Sequence, residues 1–506
     1  MQDLKAEHRM SDLTVALNYE PTKTCGDLLE VLSASPAVTA IIVTGPLAGD
    51  HFLPESNRKI RRVDADLLSG KGMASVLDAT ETPYLLLVLA ASRIRLSGTA
   101  ERCDGLDRML RVASESGAGL IFSDYFDESD TGSRYHSLID YQMGSIRDGF
   151  DFGATALISR RACAEAIERH GPIAPELRWA AFYDLRLKLS TVSEIVRIPE
   201  PLYTVLREDG QKTGERQFDY VDPKQRDYQV EMESVVTGHL KSIGAFLPAE
   251  FVALPETTST FPVEASVIIP VRNRERTIRD AIASALSQQA AFTFNVIVVD
   301  NHSTDGTSKI IRQIAAQQSR LIHIIPAGTD LGIGGCWNEA IYSAHCGRIA
   351  AQLDSDDLYK DGWTLEKIVS KFGEGPYAMV IGSYKITNFE LEEVPPGLID
   401  HREWTRENGH NNALRINGLG APRAFYVPVL RKFGLPNTSY GEDYAVALRI
   451  SREYEIGRIY EPLYFARRWE GNSDAKLDLD TANRYDTYKD RLRTFEIMAR
   501  RRKNRK

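Results

Sequence analysis

The sequence predicts an α/β protein of two domains, each built on a largely parallel sheet. Three observations carry this expectation. Short β-rich runs alternate with stretches of helical spacing. The 506 residues exceed what a single hydrophobic core serves. The two halves also echo each other: residues 182–208 and 441–470 each give a helix ending in Leu/Ile-Ser and then an Ile-x-Glu-Pro-Leu-Tyr strand, and residues 153–173 match 420–436 in outline.

Taken in order, runs at 13–18 and 38–44 flank a helical stretch around Leu28, Leu29 and Leu32, a β-α-β unit. Residues 82–92 read as a buried strand, 106–116 as a helix and 119–123 as a further strand. No carboxylate cluster ends the strand at 85–89, which runs into Ala-Ala-Ser-Arg. The acids of 124–130 lie in a Gly- and Ser-containing stretch that reads as a solvated loop. Helical spacing returns at Tyr228, Met232, Val235, Val236 and Leu240, followed by Pro- and Thr-rich punctuation at 253–264. The expected domains are therefore 1–215, a helical linker at 216–262, a second domain at 263–470 and a helical, basic tail at 471–506.

In the second half, 266–271 is a β-branched strand, and Ile278, Ala281, Ile282, Ala285 and Leu286 share one helical face. A second strand ends at Asp300, with a polar turn through Asp305 and Gly306, a helix, and a third strand at 321–327. A fourth run, 348–357, stops in Asp354, Asp356 and Asp357. A right-handed β-α-β succession leaves ligands at the carboxyl ends of its strands, where Asp300 and Asp354 stand. Clustered acids there repel one another unless a cation or a ring of donors compensates. The two readings are a divalent-metal site and an acidic turn capping the next helix.

Composition excludes several classes. The hydrophobic and charged fractions, 43% and 26%, are those of a globular protein, and a net charge of -8 argues against a general nucleic-acid binder. No apolar run reaches the roughly 18–20 residues of a membrane span, the nearest being 84–91, and the polar N-terminus lacks the apolar segment of a secretory signal. Five scattered cysteines without CxxC spacing suit free thiols, so a cytoplasmic location is expected. The string 332–337 has the look of a dinucleotide fingerprint. Trp337 at its third glycine position, and the polar segment before it, count against a nicotinamide or flavin enzyme.

The ordered set SVIIPVRNRERTI, VIVVDNHSTDGT, the glycine-rich segment with Asn338, LDSDD and GEDYA resembles a family 2 glycosyltransferase of the GT-A fold, over about 265–469. The first half resembles the same fold only faintly and reads as a degenerate copy with a structural or acceptor-binding role. The resemblance implies two GT-A-like domains, the second active. Residues Pro270, Arg272 and Asn273 would line the nucleotide pocket, and Asp300 would accept a hydrogen bond from the base. Asp354 would face the ribose and metal water, and Asp356 would bind Mn²⁺ or Mg²⁺ directly, with Asp357 assisting. Glu442 and Asp443 resemble the family's Glu-Asp pair, with Asp443 as catalytic base; a plain helix cap is the other reading. Arg467, Arg468 and Trp469 partly resemble an Arg-Trp motif, in which arginine forks hold the diphosphate; a surface arginine pair beside a core tryptophan is the other reading.

The chain departs from the family pattern at Arg272, where an aromatic is usual, at Asp330, often Asn, and in having no histidine after His410. The long polar segment 388–420, with Trp404, His410, Asn411 and Asn412, reads as the acceptor-binding loop. The terminal RRRKNRK reads as a frayed solvated tail, with contact to anionic lipid or phosphate as the alternative.

The expected function is metal-dependent, inverting transfer from a nucleotide-sugar, a UDP-sugar by family resemblance, to a carbohydrate or glycoconjugate hydroxyl in bacterial-type glycan synthesis. A homo-oligomer is compatible with the sequence. An inert carbohydrate- or nucleotide-binding scaffold is the second reading. A nucleotidyltransferase ranks lowest, because 271–277 has basic residues but no glycines.

Overall fold

The computed structural model describes residues 13–45, 58–96, 104–207, 223–472 and 477–505. The chain divides into two compact units: residues 1–212 with 230–244 and 479–487, and residues 213–229 with 245–478 and 488–506. The boundary expected at 215–216 lies outside the described residues.

The first unit runs β1 (Leu13–Asn18), α1 (Lys23–Ala34), β2 (Val38–Thr44), β3 (Ile60–Val63), α2 (Gly70–Ala79), β4 (Tyr84–Val88), β5 (Ile94–Leu96), α3 (Asp104–Ser116), β6 (Leu120–Ser123), β7 (Tyr125–Ser129), β8 (Gly132–His136), β9 (Thr155–Ser159), α4 (Arg160–His170), α5 (Ala181–Leu189), β10 (Ile195–Ile198) and β11 (Tyr203–Leu206). Its main sheet has the order β10-β6-β9-β4-β1-β2-β3. The apolar runs of β1, β2 and β4 are buried on both faces, as central parallel strands require.

The stretch expected as a solvated loop at 124–130 is largely strand β7, paired with β8. Asp124 is fully buried, held by Arg197 at 2.9 Å and by the Tyr135 hydroxyl and the Leu138 amide. A charge partner some 70 residues downstream was not visible locally.

Helix α6 (Arg226–Ser242) follows and is shared between the units. The second unit runs β12 (Ala265–Val271), α7 (Ile278–Leu286), β13 (Phe294–Asp300), α8 (Thr307–Ala315), β14 (Leu321–Ile324), α9 (Ile333–Tyr342), β15 (Ile349–Gln352), β16 (Leu358–Tyr359), α10 (Thr364–Gly373), β17 (Tyr377–Thr387), β18 (Glu393–Ile399), α11 (Gly409–Asn412), β19 (Arg423–Tyr426), α12 (Val427–Phe433), α13 (Glu442–Glu453), β20 (Glu455–Arg467) and α14 (Leu479–Asn504). Its sheet has the order β14-β13-β12-β15-β19-β17-β20-β16, with β18 beside β17.

Seven strands correspond between the two sheets in order and direction. In each, three parallel pairs lead into an antiparallel strand, β9 or β19, which is followed by β6 with β10 or β17 with β20. Both are mixed sheets, and the sequence echo lies on equivalent elements. Counting back without a gap from 194–203 against 455–464, Phe182 of α5 stands where Asp443 stands in α13.

Two expectations change in the second unit. Residues 388–420 form β18, α11 and turns rather than an open loop, and Trp404, His410, Asn411 and Asn412 are all buried. Trp404 lies under Arg458 and against Gly409, and His410 and Asn411 bind the Leu247 carbonyl. These polar side chains pack the element instead of facing an acceptor. The basic tail likewise continues α14 to Asn504, with Arg500 buried between Glu496 and the His410 carbonyl. No described helix is long and apolar enough to cross a membrane.

Candidate active site

The site forms where β12, β13 and β15 end. The loop after β12 turns on Asn273, which adopts a positive φ of 53°. Its side-chain carbonyl accepts from the Thr304 amide at 2.7 Å, and its own amide donates to Ser303. Asn273 therefore ties the loop after β12 to the loop after β13. Pro270 is the penultimate residue of β12, and Arg272, just past the strand's end, is exposed.

Asp300 does not occupy the place expected of it. Its carboxylate is fully buried and accepts from the Ser303 amide, the Ser308 hydroxyl and His323. Burial pushes its pKa up, but hydrogen bonds from His323, Ser303 and Ser308 pull it well below the usual carboxylate range. The group is spent on holding the loop and α8. The neighbouring Asn301 donates its amide to the Leu331 carbonyl at 2.7 Å and leaves Oδ1 buried without a hydrogen-bond partner among the described residues. An orphaned acceptor at a strand end is a stronger ligand signal than a saturated carboxylate. Residue type alone had favoured the acid.

The acids after β15 divide three ways. Asp354 accepts from Gln352 at 2.9 Å, and its amide donates to the Tyr464 hydroxyl. Burial and the charge of Asp356 raise its pKa, while Arg423 and Gln352 oppose the rise. Asp356 accepts from the Trp469 indole N–H at 3.1 Å and from Asn472 at 3.2 Å, with Arg274 3.9 Å away. Asp357 turns inward to accept from the Arg467 amide, and burial beside Asp356 and Asp354 raises it well above the usual range. It buttresses the turn instead of assisting at its surface.

Arg467 also departs from expectation. Its side chain is buried, donating to the Asp356 carbonyl at 2.5 Å and pairing with Asp280, so it shapes the acidic turn rather than extending a fork toward ligand. Arg468 is half-buried and its amide donates to Thr387. Trp469 meets Asp356 as its place beside the arginines allowed, and Arg274 and Arg276 lie over its ring. Arg274, which the motif reading passed over, is the guanidinium that faces Asp356.

Among the described residues no three His, Cys, Asp or Glu side chains form a ready-made metal cage. Mg²⁺ and Mn²⁺ nonetheless suit one or two carboxylates completed by substrate phosphate oxygens. Asp354 and Asp356 supply that hard-oxygen chemistry, and the Asp354 carboxyl is raised first by burial and, to a smaller extent, by the charge of Asp356 that a cation would offset.

Asp443 opens α13 behind Gly441, which has a φ of 77°. One oxygen accepts from the Tyr444 amide at 2.7 Å and the other pairs with Arg423 at 2.8 Å. Burial would raise its pKa, but the Arg423 and Lys489 cations hold it below the usual value. Glu442 is the opposite case: burial, then the charge of Asp443, pushes it up to about 8, and Oε2 has no hydrogen-bond partner among the described residues. Arg423 also donates its amide to Gln352, which holds Asp354, so one residue links the acidic turn to the Glu-Asp pair. The glycines of 332–335 serve packing: a Cβ on Gly334 would lie 1.9 Å from the Pro436 carbonyl oxygen.

Comparison with known proteins bears on this geometry. Residues 266–429 match the model of glycosyl transferase family 2. The chain is 26% identical over 209 residues to the succinoglycan biosynthesis protein ExoU of Rhizobium meliloti, covering 39% of this chain and 57% of that one. It is 30% identical over 133 residues to the glycosyltransferase AglD of Haloferax volcanii, covering 26% and 21%. Among solved structures, S. aureus TarS 1–349 with UDP-GlcNAc aligns at 24% identity and a TM-score of 0.38, over 46% of this chain and 66% of that one. The chain thus spans well under two thirds of the length of either of these sequence relatives. On the family match, the second unit carries a glycosyl transferase family 2 domain.

Proposed function

We infer that the chain transfers a sugar from a nucleotide-diphosphate donor to a hydroxyl acceptor, with inversion, at the carboxyl ends of β12, β13 and β15. The observation that carries this reading is the Arg423–Asp443 pair. It keeps a carboxylate ionised within the same residue network as the Asp354–Asp356 turn, and an acceptor hydroxyl must lose its proton as it attacks the anomeric carbon.

The donor nucleotide enters between the loops tied by Asn273. Asn301 Oδ1 accepts the imide N–H of a base such as uracil, which supports a UDP-sugar in agreement with the family resemblance. Asp354 and Asp356 are the residues that would hold Mn²⁺ or Mg²⁺, which when bound neutralises the diphosphate charge that grows on departure of the sugar. Arg274 faces the same region and adds a fixed cation. Asp443 takes the acceptor proton. Glu442, neutral up to about pH 8, is a hydrogen-bond donor beside it.

A donor panel of nucleotide-sugars with and without Mn²⁺ or Mg²⁺ tests the reading, followed by the anomeric configuration of the product. Metal-dependent consumption of one donor, with inverted product, is expected. Binding of nucleotide without turnover of any donor or acceptor would favour the inert scaffold.

A further inference from the structure

We propose that the last four turns of α14 form a docking face for an anionic membrane surface. Arg491, Phe495, Met498, Arg502 and Arg505 are the exposed residues, with Asn504, of this part of the chain. Spaced i, i+4, i+7 and i+11, Arg491, Phe495, Met498 and Arg502 fall within an arc of about 60° on a helix of 3.6 residues per turn, and Arg505 stands in the turn just past the helix end. Phe495 and Met498 are 58% and 54% exposed, unusual for side chains of that size.

The charges of this stretch are sorted by face. Its acids turn inward: Asp490 pairs with Arg493 at 2.7 Å, and Glu496 with Arg452 at 3.0 Å and Arg500 at 2.8 Å. The outward arginines Arg491 and Arg502 have no ion pair among the described residues. A chain of net charge -8 thus carries a local face that is only cationic and apolar.

That combination decides the occupant. A second copy offering the same face would oppose arginine to arginine. A duplex or RNA would use the arginines but leave Met498 without a role. An anionic bilayer uses both: phosphate headgroups meet the arginines at either end, and the two central apolar side chains reach the acyl boundary.

The test is sedimentation of the full-length protein with vesicles of phosphatidylcholine alone or mixed with phosphatidylglycerol. Binding to the mixed vesicles only, weakened by salt, is expected. Arg491→Glu with Arg502→Glu should lower partitioning about tenfold or more. Phe495→Trp should shift its emission to the blue on anionic vesicles and not on neutral ones. If the charge reversal disturbs folding, seen as a lowered Tm, the tryptophan variant decides alone. Equal binding to neutral vesicles, no loss on charge reversal, or an unshifted tryptophan spectrum would each overturn the proposal. So would preferential uptake of RNA that the charge reversal abolishes, which would reassign the face to nucleic acid.

Discussion

The two units lay down the same seven-stranded frame and finish it with different chemistry. Where β13 ends in Asp300, β2 ends in Thr44, which donates to the Leu17 carbonyl and to Asn18. Where β15 runs into three aspartates, β4 runs into Leu-Ala-Ala-Ser. Where α13 opens on Glu442 and Asp443, α5 opens on Ala181 and Phe182, and Phe182 packs edge-on against Phe152 at 5.5 Å within a cluster that includes Phe122, Phe150 and Tyr141. The acid of α5, Asp184, stands opposite Ala445 and is paired with Lys188 one turn along the helix. A strand end can therefore be an ionised, ligand-seeking site or a satisfied core on the same topology. The difference lies in the acids that the second unit sets at these positions, not in the topology that carries them.

The contrast is broken most directly at the acidic turn. Asp356→Ala is expected to abolish sugar transfer and to weaken metal-dependent nucleotide binding by a titration that follows nucleotide affinity with and without Mn²⁺. Near wild-type transfer by this variant would remove its assigned role.

The paired residues Asp300 and Asn301 sharpen the distinction between scaffold and ligand contact. Asn301→Ala should raise the donor KM by about tenfold, in keeping with one lost hydrogen bond to the donor, and lower Tm by less than Asp300→Ala does, because only the bond to the Leu331 carbonyl is lost within the protein. Asp300→Ala should lower Tm more, because three internal hydrogen bonds lose their acceptor. A reversal of these two phenotypes would return Asp300 to the base-binding role.

Arg423 tests whether pairing tunes the base. Asp443 is held below the ordinary carboxylate pKa, so the acid limb of kcat/KM should lie low and activity should fall only as pH drops through that depressed value. Arg423→Gln should move the acid limb upward. A lowered rate with an unmoved limb would make Arg423 structural only.

The smallest effect is expected at Glu442. Its folded pKa, raised to about 8, lies above the unfolded value, so its contribution to stability is full below about pH 4.5 and lost as pH rises toward 8. The Tm advantage of Glu442→Gln over wild type should grow from pH 5 to 8 and then level, by on the order of 3 °C per kcal/mol. A pH-independent difference would contradict the assignment.

Much of the frame was legible because its signals are local. The strands at 13–18, 38–44 and 266–271 follow from runs of β-forming residues, the helix expected over 444–451 lies within α13, and the echo of 194–203 in 455–464 shows in the residues themselves. What was not legible depends on pairing across distance. Asp124 looked solvated because Arg197 lies far along the chain, and Asp300 looked like a ligand because Ser308 and His323 were not seen to saturate it. The polar run at 404–412 looked like a binding loop, yet the Asn411 amide and the His410 imidazole complete buried hydrogen bonds to Leu247. Arg423 carried no motif at all.

The central claim is that only the second unit's α13 start does chemistry. It is tested by measuring sugar transfer, under one set of donor, metal and acceptor conditions, for Asp443→Asn and for Phe182→Leu beside wild type. A fall of about 10²–10⁴-fold for Asp443→Asn, as expected for loss of a general base, with an unchanged rate for Phe182→Leu, is predicted. Wild-type transfer by Asp443→Asn, or an equal loss in both variants, would contradict it.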